Sequence, residues 1–166
     1  VVEMEEVALR YLAEQKPGLA DCRVLVIGTG IVGQGLVADL LRRGCRCVWA
    51  YYRNAPALSA EGARRIEVIQ LADLARVLPE VDVVVSAVDA PEPVLNRPEH
   101  GARLNPRGVT LIDLGMPRNI DPALDAVGNG VRVADLDEIK QWYRTANGTL
   151  DKVLEACDAI LREHRG

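Results

Sequence analysis

The chain has 166 residues, which is enough for one domain, and its 49% hydrophobic and 27% charged residues are typical of globular proteins. A net charge of −4 argues against a broad nucleic-acid surface, although a few basic residues could touch an RNA if another domain supplied the rest. No membrane span and no signal peptide are indicated, so we expect a cytoplasmic protein. The chain starts at Val1, and the interpretation as an excised or processed piece of a longer protein stays open.

Short apolar runs alternate with amphipathic segments along the chain. Strands are predicted over 23–27, 47–51, 66–69, 81–85, 109–114 and 131–134. Helices are predicted over 3–15, 31–43, 56–65, 72–78 and, weakly, 96–104, with a helical turn over 121–127 and a helical tail over 135–165 that has a candidate interruption at Asn147-Gly148. The alternation is typical of βαβ units and a mostly parallel sheet.

Six strands in this rhythm fit a doubly wound α/β Rossmann-type fold with strand order 3-2-1-4-5-6. We expect residues 21–134 to form the nucleotide-binding domain. Residues 1–20 then form an N-terminal connecting helix, and residues 135–166 a C-terminal helix that starts a connection to something else.

A glycine-rich turn follows the first strand and opens a helix, which is the context that the GxGxxG motif needs. The candidate phosphate-binding residues are Gly28, Thr29, Gly30, Ile31, Val32 and Gly33. The first glycine permits the tight turn, the second the approach of a pyrophosphate, and the third close helix packing. The alternative is a glycine-rich turn that binds no nucleotide.

The end of the second strand indicates which dinucleotide binds. NAD-specific domains place an acidic residue there, whereas this chain has Tyr52, Arg53 and Asn54. The guanidinium of Arg53 suits a 2′-phosphate, so the prediction is NADP(H) rather than NAD(H). The alternative is an arginine that merely solvates the strand end.

Two further strand ends are expected at the cofactor, and the segment after the fifth strand is expected near its nicotinamide end. Small residues at Ser86, Ala87 and Val88 suit a cofactor that crosses the fourth strand, and Gly115 and Met116 follow the fifth. Near them, an Asp113–Arg118 pair that shapes its loop is favoured over a direct catalytic role for these two residues.

The four cysteines lack the spacing of a metal site. Cys45 and Cys47 form a C-x-C without a second pair, so reduced, half-buried thiols and no metal are expected. Neither histidine is placed to activate a thiol, and no catalytic residue is predicted in this chain.

The segments SAVDAPEPV and DLGMPRNIDP, together with the glycine turn and Arg53, resemble the NADP-binding domain of glutamyl-tRNA reductases. The resemblance implies a domain that positions NADPH for hydride transfer to a glutamyl thioester, giving glutamate-1-semialdehyde for tetrapyrrole (porphyrin) biosynthesis. It also implies partners, namely catalytic and dimerisation domains of the same enzyme or separate subunits, with glutamyl-tRNA reached only through those. The nucleophilic cysteine belongs to a domain that this chain lacks.

Two other functions stay open at this point. One is a stand-alone NADP-dependent dehydrogenase of a small carbonyl substrate, and the other is a non-catalytic NADP(H)-sensing module. The apolar positions of the tail predict that it folds back on the body or pairs with another copy in a homodimer. They are Ile139, Trp142, Tyr143, Leu150, Val153, Leu154, Cys157 and Ile160.

Overall fold

The computed structural model describes residues 3–147 and contains one six-stranded sheet. Its strands are β1 Arg23–Ile27, β2 Arg46–Tyr51, β3 Ile66–Gln70, β4 Val83–Ser86, β5 Val109–Asp113 and β6 Val131–Asp135. All five strand pairs are parallel, and the order is β3-β2-β1-β4-β5-β6. The predicted doubly wound Rossmann topology is therefore confirmed.

Helices connect the strands and flank them at both ends. The α-helices are α1 Met4–Gln15, α2 Ile31–Arg42, α3 Ala60–Arg65, α4 Leu74–Val77 and α5 Arg97–His100, followed by α6, which is described from 136 to 147. Short 3₁₀ turns occupy Leu19–Asp21, Leu71–Asp73, Leu78–Glu80, Gly101–Arg103 and Pro122–Ala126. Gly44, at φ +89°, follows α2 as the expected C-terminal glycine.

Three predicted helices were wrong in extent. The helix expected over 56–65 begins only at Ala60, because the Ser59 hydroxyl accepts the amide of Gly62 at 3.0 Å and so caps it there. The segments expected over 72–78 and 96–104 each form a single α-turn continued by 3₁₀ turns. Pro79 lies in the 3₁₀ turn after α4 and cannot continue the helical hydrogen bonding.

The sheet is buried on both faces, which accounts for its continuous apolar strands. Val24 and Val26 of β1 pack with α1 and α2 in one core, while Leu25 and Ile27 face a second core on the other side. This alternation follows from the two-residue period of a strand.

The described part of the tail folds back on the body, which is one of the two predicted outcomes, the other being pairing with a second copy. Ile139 is fully buried, and the Trp142 ring meets the Tyr11 ring edge-on at 5.5 Å between centroids. The Tyr11 hydroxyl donates to Glu138 at 2.9 Å, which ties α1 to α6. Gly148, Leu150, Val153, Leu154, Cys157 and Ile160 lie outside the described residues.

Among residues 3–147, no helix is long and apolar enough to cross a membrane.

Candidate functional site

The glycine turn between β1 and α2 is held by contacts that exclude side chains. Gly28 has φ +116°, and a Cβ on it would overlap the carbonyl oxygen of Ala87. A Cβ on Gly33 would in turn overlap the carbonyl oxygen of Gly28. That same oxygen accepts the indole N–H of the buried Trp49 at 2.7 Å. The first and third glycines therefore set the path of the turn.

The second glycine serves a different purpose. A Cβ on Gly30 would meet nothing within 4 Å, so the fold itself does not require a glycine there. Gly30 is the N-cap of α2 and supplies no side-chain cap, which leaves first-turn amide N–H groups of α2 open to an anion. The Thr29 hydroxyl donates to the Asn54 carbonyl at 2.9 Å and so ties the glycine turn to the loop after β2.

A groove of about 560 Å³ lies at the carboxyl edge of the sheet, where the loops after β1, β2, β4 and β5 meet. Most of the predicted binding residues line it: Thr29, Gly30, Ile31, Val32, Tyr52, Arg53, Asn54, Ala87, Val88, Gly115 and Met116. Asp89 and Leu114 line it as well and were not predicted. Such a crevice beside β1 is the place where open α/β sheets bind their ligands.

Gly28, Gly33 and Ser86 were predicted to bind cofactor but do not line the groove. The two glycines are buried in the turn and act on its backbone. The Ser86 side chain is fully buried, and its hydroxyl is satisfied by donating to Asn119 Oδ1 at 2.9 Å. For these three residues the structure indicates support of the groove rather than its lining.

One side of the groove carries the positive charge of Arg53. The Arg53 guanidinium lies 5.1 Å from the centre of the Tyr52 ring, and both side chains are exposed. Within residues 3–147, no carboxylate lies within salt-bridge distance of Arg53. Its donors remain available to an anion in the groove.

Two large apolar side chains border the same groove. Ile31 is 84% exposed at the start of α2, and Met116 is 77% exposed after β5. Neither contributes to the core, so both can contact a molecule in the groove or a partner above it.

Asp113 and Arg118 shape the loop after β5, as favoured from the sequence. The buried Asp113 carboxylate accepts the backbone N–H groups of Gly115, Asn119 and Ile120 at 2.9 to 3.1 Å. Arg118 lies between Asp113 and Asp135, at 3.4 Å from each carboxylate. Since its oxygens are engaged by its own loop, Asp113 is a structural residue.

Asn119 is the site residue that sequence reasoning missed. Its Oδ1 accepts the Ser86 hydroxyl at 2.9 Å and the Val88 amide at 3.0 Å, while its Nδ2 donates to the Val88 carbonyl at 2.9 Å. The loops after β4 and β5 are thereby tied together at the groove. The only available signal was a polar residue inside the loop segment DLGMPRNIDP.

The described cysteines are not arranged as nucleophiles or ligands. Burial raises the thiol pKa of Cys22 and Cys45 and raises that of Cys47 to about 12, so these thiols are protonated at neutral pH. Cys45 and Cys47 are fully buried rather than half-buried as predicted, because both pack in the core around α1 and α2. No group of three or more potential metal ligands occurs in the described part of the chain.

Comparison with known proteins matches this chain to dehydrogenases and reductases. The family model for shikimate / quinate 5-dehydrogenase matches residues 11–142. A glutamyl-tRNA reductase of Thermomicrobium roseum is 34% identical over 82% of this chain and 33% of its own length. Glutamyl-tRNA reductase 1 of Pyrobaculum arsenaticum is 31% identical over 90% of this chain and 36% of its length. The chain thus spans about a third of these relatives.

Solved structures agree on the fold. Glutamyl-tRNA reductase from Methanopyrus kandleri matches 94% of this chain and 42% of its own, with a TM-score of 0.67 at 24% identity. The nucleotide-binding domain of glutamyl-tRNA reductase from Thermoplasma volcanium matches 92% of this chain and 98% of its own, with a TM-score of 0.61 at 21% identity. The resemblance read from the motifs is confirmed: the chain belongs to the family described as shikimate / quinate 5-dehydrogenase and is similar to the nucleotide-binding domain of glutamyl-tRNA reductases.

Proposed function

We propose that this chain is the NADPH-binding domain of a glutamyl-tRNA reductase-like oxidoreductase of tetrapyrrole biosynthesis, active in the cytoplasm. The observation that carries the proposal is the groove at the carboxyl edge, bordered by the uncapped N-terminus of α2 and by Arg53, which has no ion-pair partner within residues 3–147. The relatives support the oxidoreductase class and the role of a nucleotide-binding domain. Residues 21–134 form the domain, and the segments 1–20 and 135–166 connect it to neighbouring parts of the enzyme.

Each side of the groove has its own binding task. The open amide N–H groups at the start of α2 bind the pyrophosphate, and the missing side chain at Gly30 lets it come close to the backbone. The Arg53 fork binds the 2′-phosphate, which selects NADP(H) over NAD(H). Ala87, Val88 and Met116 contact the nicotinamide end.

The bound cofactor supplies a hydride. A glutamyl thioester that accepted this hydride at its carbonyl carbon would lose its carbon–sulfur bond and give an aldehyde and a thiolate. The thiolate belongs to a separate catalytic domain or subunit, since the described thiols of this chain are held protonated by burial. This chain orients the donor and shields one side of it, and α6 leads toward a dimerisation domain or a second copy.

The test is an NMR titration of the isotope-labelled 166-residue chain with NADPH, in which changes in the amide chemical shifts are measured. Shifts confined to the loops that line the groove are expected, and shifts elsewhere or no saturable change would contradict the assignment. The chain alone should not oxidise NADPH with glutamyl-tRNA. Oxidation with small aldehydes or keto acids would instead favour a stand-alone dehydrogenase.

A further inference from the structure

A row of arginines lies at the amino edge of the sheet, opposite the groove. Arg23 and Arg46 are register partners at the first residues of β1 and β2. Arg65 directly precedes Ile66, whose partner on β2 is Cys47, so Arg65 follows Arg46 in the row. Neighbouring strands lie about 4.8 Å apart, so the three residues stand side by side.

These arginines line one cleft of about 630 Å³ together with Arg64, and we call it the arginine cleft: Arg23, Arg46, Arg64 and Arg65. Its other lining residues are Gly44, Cys45, Cys47, Ile66 and Glu67. The cleft carries four positive charges and one negative charge in a chain whose net charge is −4. The local charge is therefore opposite in sign to that of the molecule.

Among the described residues, ion pairs compensate only one of these charges. Arg23 contacts Glu67 at 3.2 Å and Glu80 at 2.5 Å. The Arg65 guanidinium donates to the neutral carbonyl of Leu41 at 2.7 Å, which leaves its charge in place. For residues 3–147, the ion pairs include no partner for Arg46 or Arg64.

The fold explains part of this arrangement but not all of it. Helix α3 ends at this edge, and a helix C-terminus favours cations, which accounts for Arg64 and Arg65. It does not account for Arg46, a strand residue whose register partner on β1 is Arg23 and which lies next to Arg65 at the end of α3. Like charges directly opposite each other on adjacent strands repel, and an anion bound beside Arg46 would relieve that repulsion.

We propose that the arginine cleft binds phosphate groups of an RNA backbone, as part of the footprint of a tRNA substrate. This rests on the proposed function and departs from the expectation that glutamyl-tRNA is reached only through other domains. Guanidinium forks pair with phosphate through two parallel hydrogen bonds. With so few charges the cleft supplies part of the RNA affinity, and other segments of the enzyme supply the rest.

The cleft and the groove are compatible with simultaneous occupation. They lie at opposite ends of the same parallel strands, and a five-residue strand is about 17 Å long. RNA phosphates at the amino edge therefore leave the carboxyl edge open to the dinucleotide.

The test measures binding of a fluorescently labelled tRNA to the 166-residue chain by anisotropy, as a function of salt. The double variant Arg46→Gln/Arg64→Gln removes two exposed, unpaired charges. The control Arg97→Gln/Arg103→Gln makes the same charge change on exposed residues between β4 and β5. At about 50 mM salt the cleft variant should bind at least tenfold more weakly than the control variant. The slope of log K against log salt should fall by about 1.4 to 1.8.

Equal affinities and equal slopes for the two double variants would overturn the proposal. So would a cleft that binds inorganic phosphate but no tRNA, which would make it a site for small anions. NADPH affinity, measured on the same samples, should be unchanged in both variants. If the unmodified chain does not bind NADPH, the proposed function is refuted. A failure of the proposed function can therefore be told from a failure of the RNA proposal.

Discussion

Replacing Asn119 with alanine tests whether the loop contacts build the groove. The change removes three hydrogen bonds of 2.9 to 3.0 Å and leaves the Ser86 hydroxyl and both polar groups of Val88 without their partner. A buried polar group left unsatisfied costs about 1–3 kcal/mol, and water can reach the half-buried Val88. We expect a loss of about 3 kcal/mol in the free energy of unfolding, hence a urea midpoint lower by about 1.5 M.

Asn105→Ala is the matched control. Asn105 is also buried, and its side chain bonds the Val81 carbonyl at 3.1 Å and the Arg107 amide at 3.0 Å, but it lies before β5 at the edge away from the groove. Both variants should lose comparable stability in urea unfolding. Only Asn119→Ala should weaken NADPH binding, by about tenfold, measured by titration under conditions where both are folded. Equal NADPH affinities for the two variants would refute the role assigned to Asn119.

Two further predictions concern the glycine turn and pH. Gly33→Ala should prevent stable folding, since the added Cβ would overlap the Gly28 carbonyl. Gly30→Ala should keep the wild-type melting temperature but lose NADPH binding. A Gly30→Ala chain that still binds NADPH would contradict the pyrophosphate assignment. Burial lowers the pKa of His100, whose Nδ1 accepts the Asn96 amide at 3.0 Å. The unfolded chain then binds more protons, so the free energy of unfolding should fall as pH drops through about 6.5, and His100→Gln should flatten that dependence in urea titrations.

The strands and the glycine turn could be predicted because they rest on local patterns. Apolar runs such as the one in β1 are required wherever both faces of a sheet are covered, and Gly33 is required by a contact with Gly28 inside the same βα unit. The extents of α3 and α4 were wrong because a single cap or proline decides where such short helices begin or end. These features override hydrophobic periodicity.

The candidate site was harder to predict from the sequence where it depends on contacts between residues far apart in the chain. Asn119 acts on Ser86 and Val88, more than 30 positions earlier, and nothing in the local pattern marks such a pair. Ser86, predicted to bind the cofactor, is buried and holds this contact instead of lining the groove. Likewise the arginine row forms only when β1, β2 and β3 pair in register.

The central claim, an NADPH site with Arg53 as the residue that reads the 2′-phosphate, is tested most directly by comparing NADPH and NADH affinities. A charge-assisted hydrogen bond contributes about 1.5–3 kcal/mol, so Arg53→Gln should weaken NADPH binding by about 10- to 150-fold. NADH affinity should not change, and the control Arg103→Gln should alter neither. Comparable affinity of the unmodified chain for both dinucleotides, unaffected by Arg53→Gln, would contradict the account.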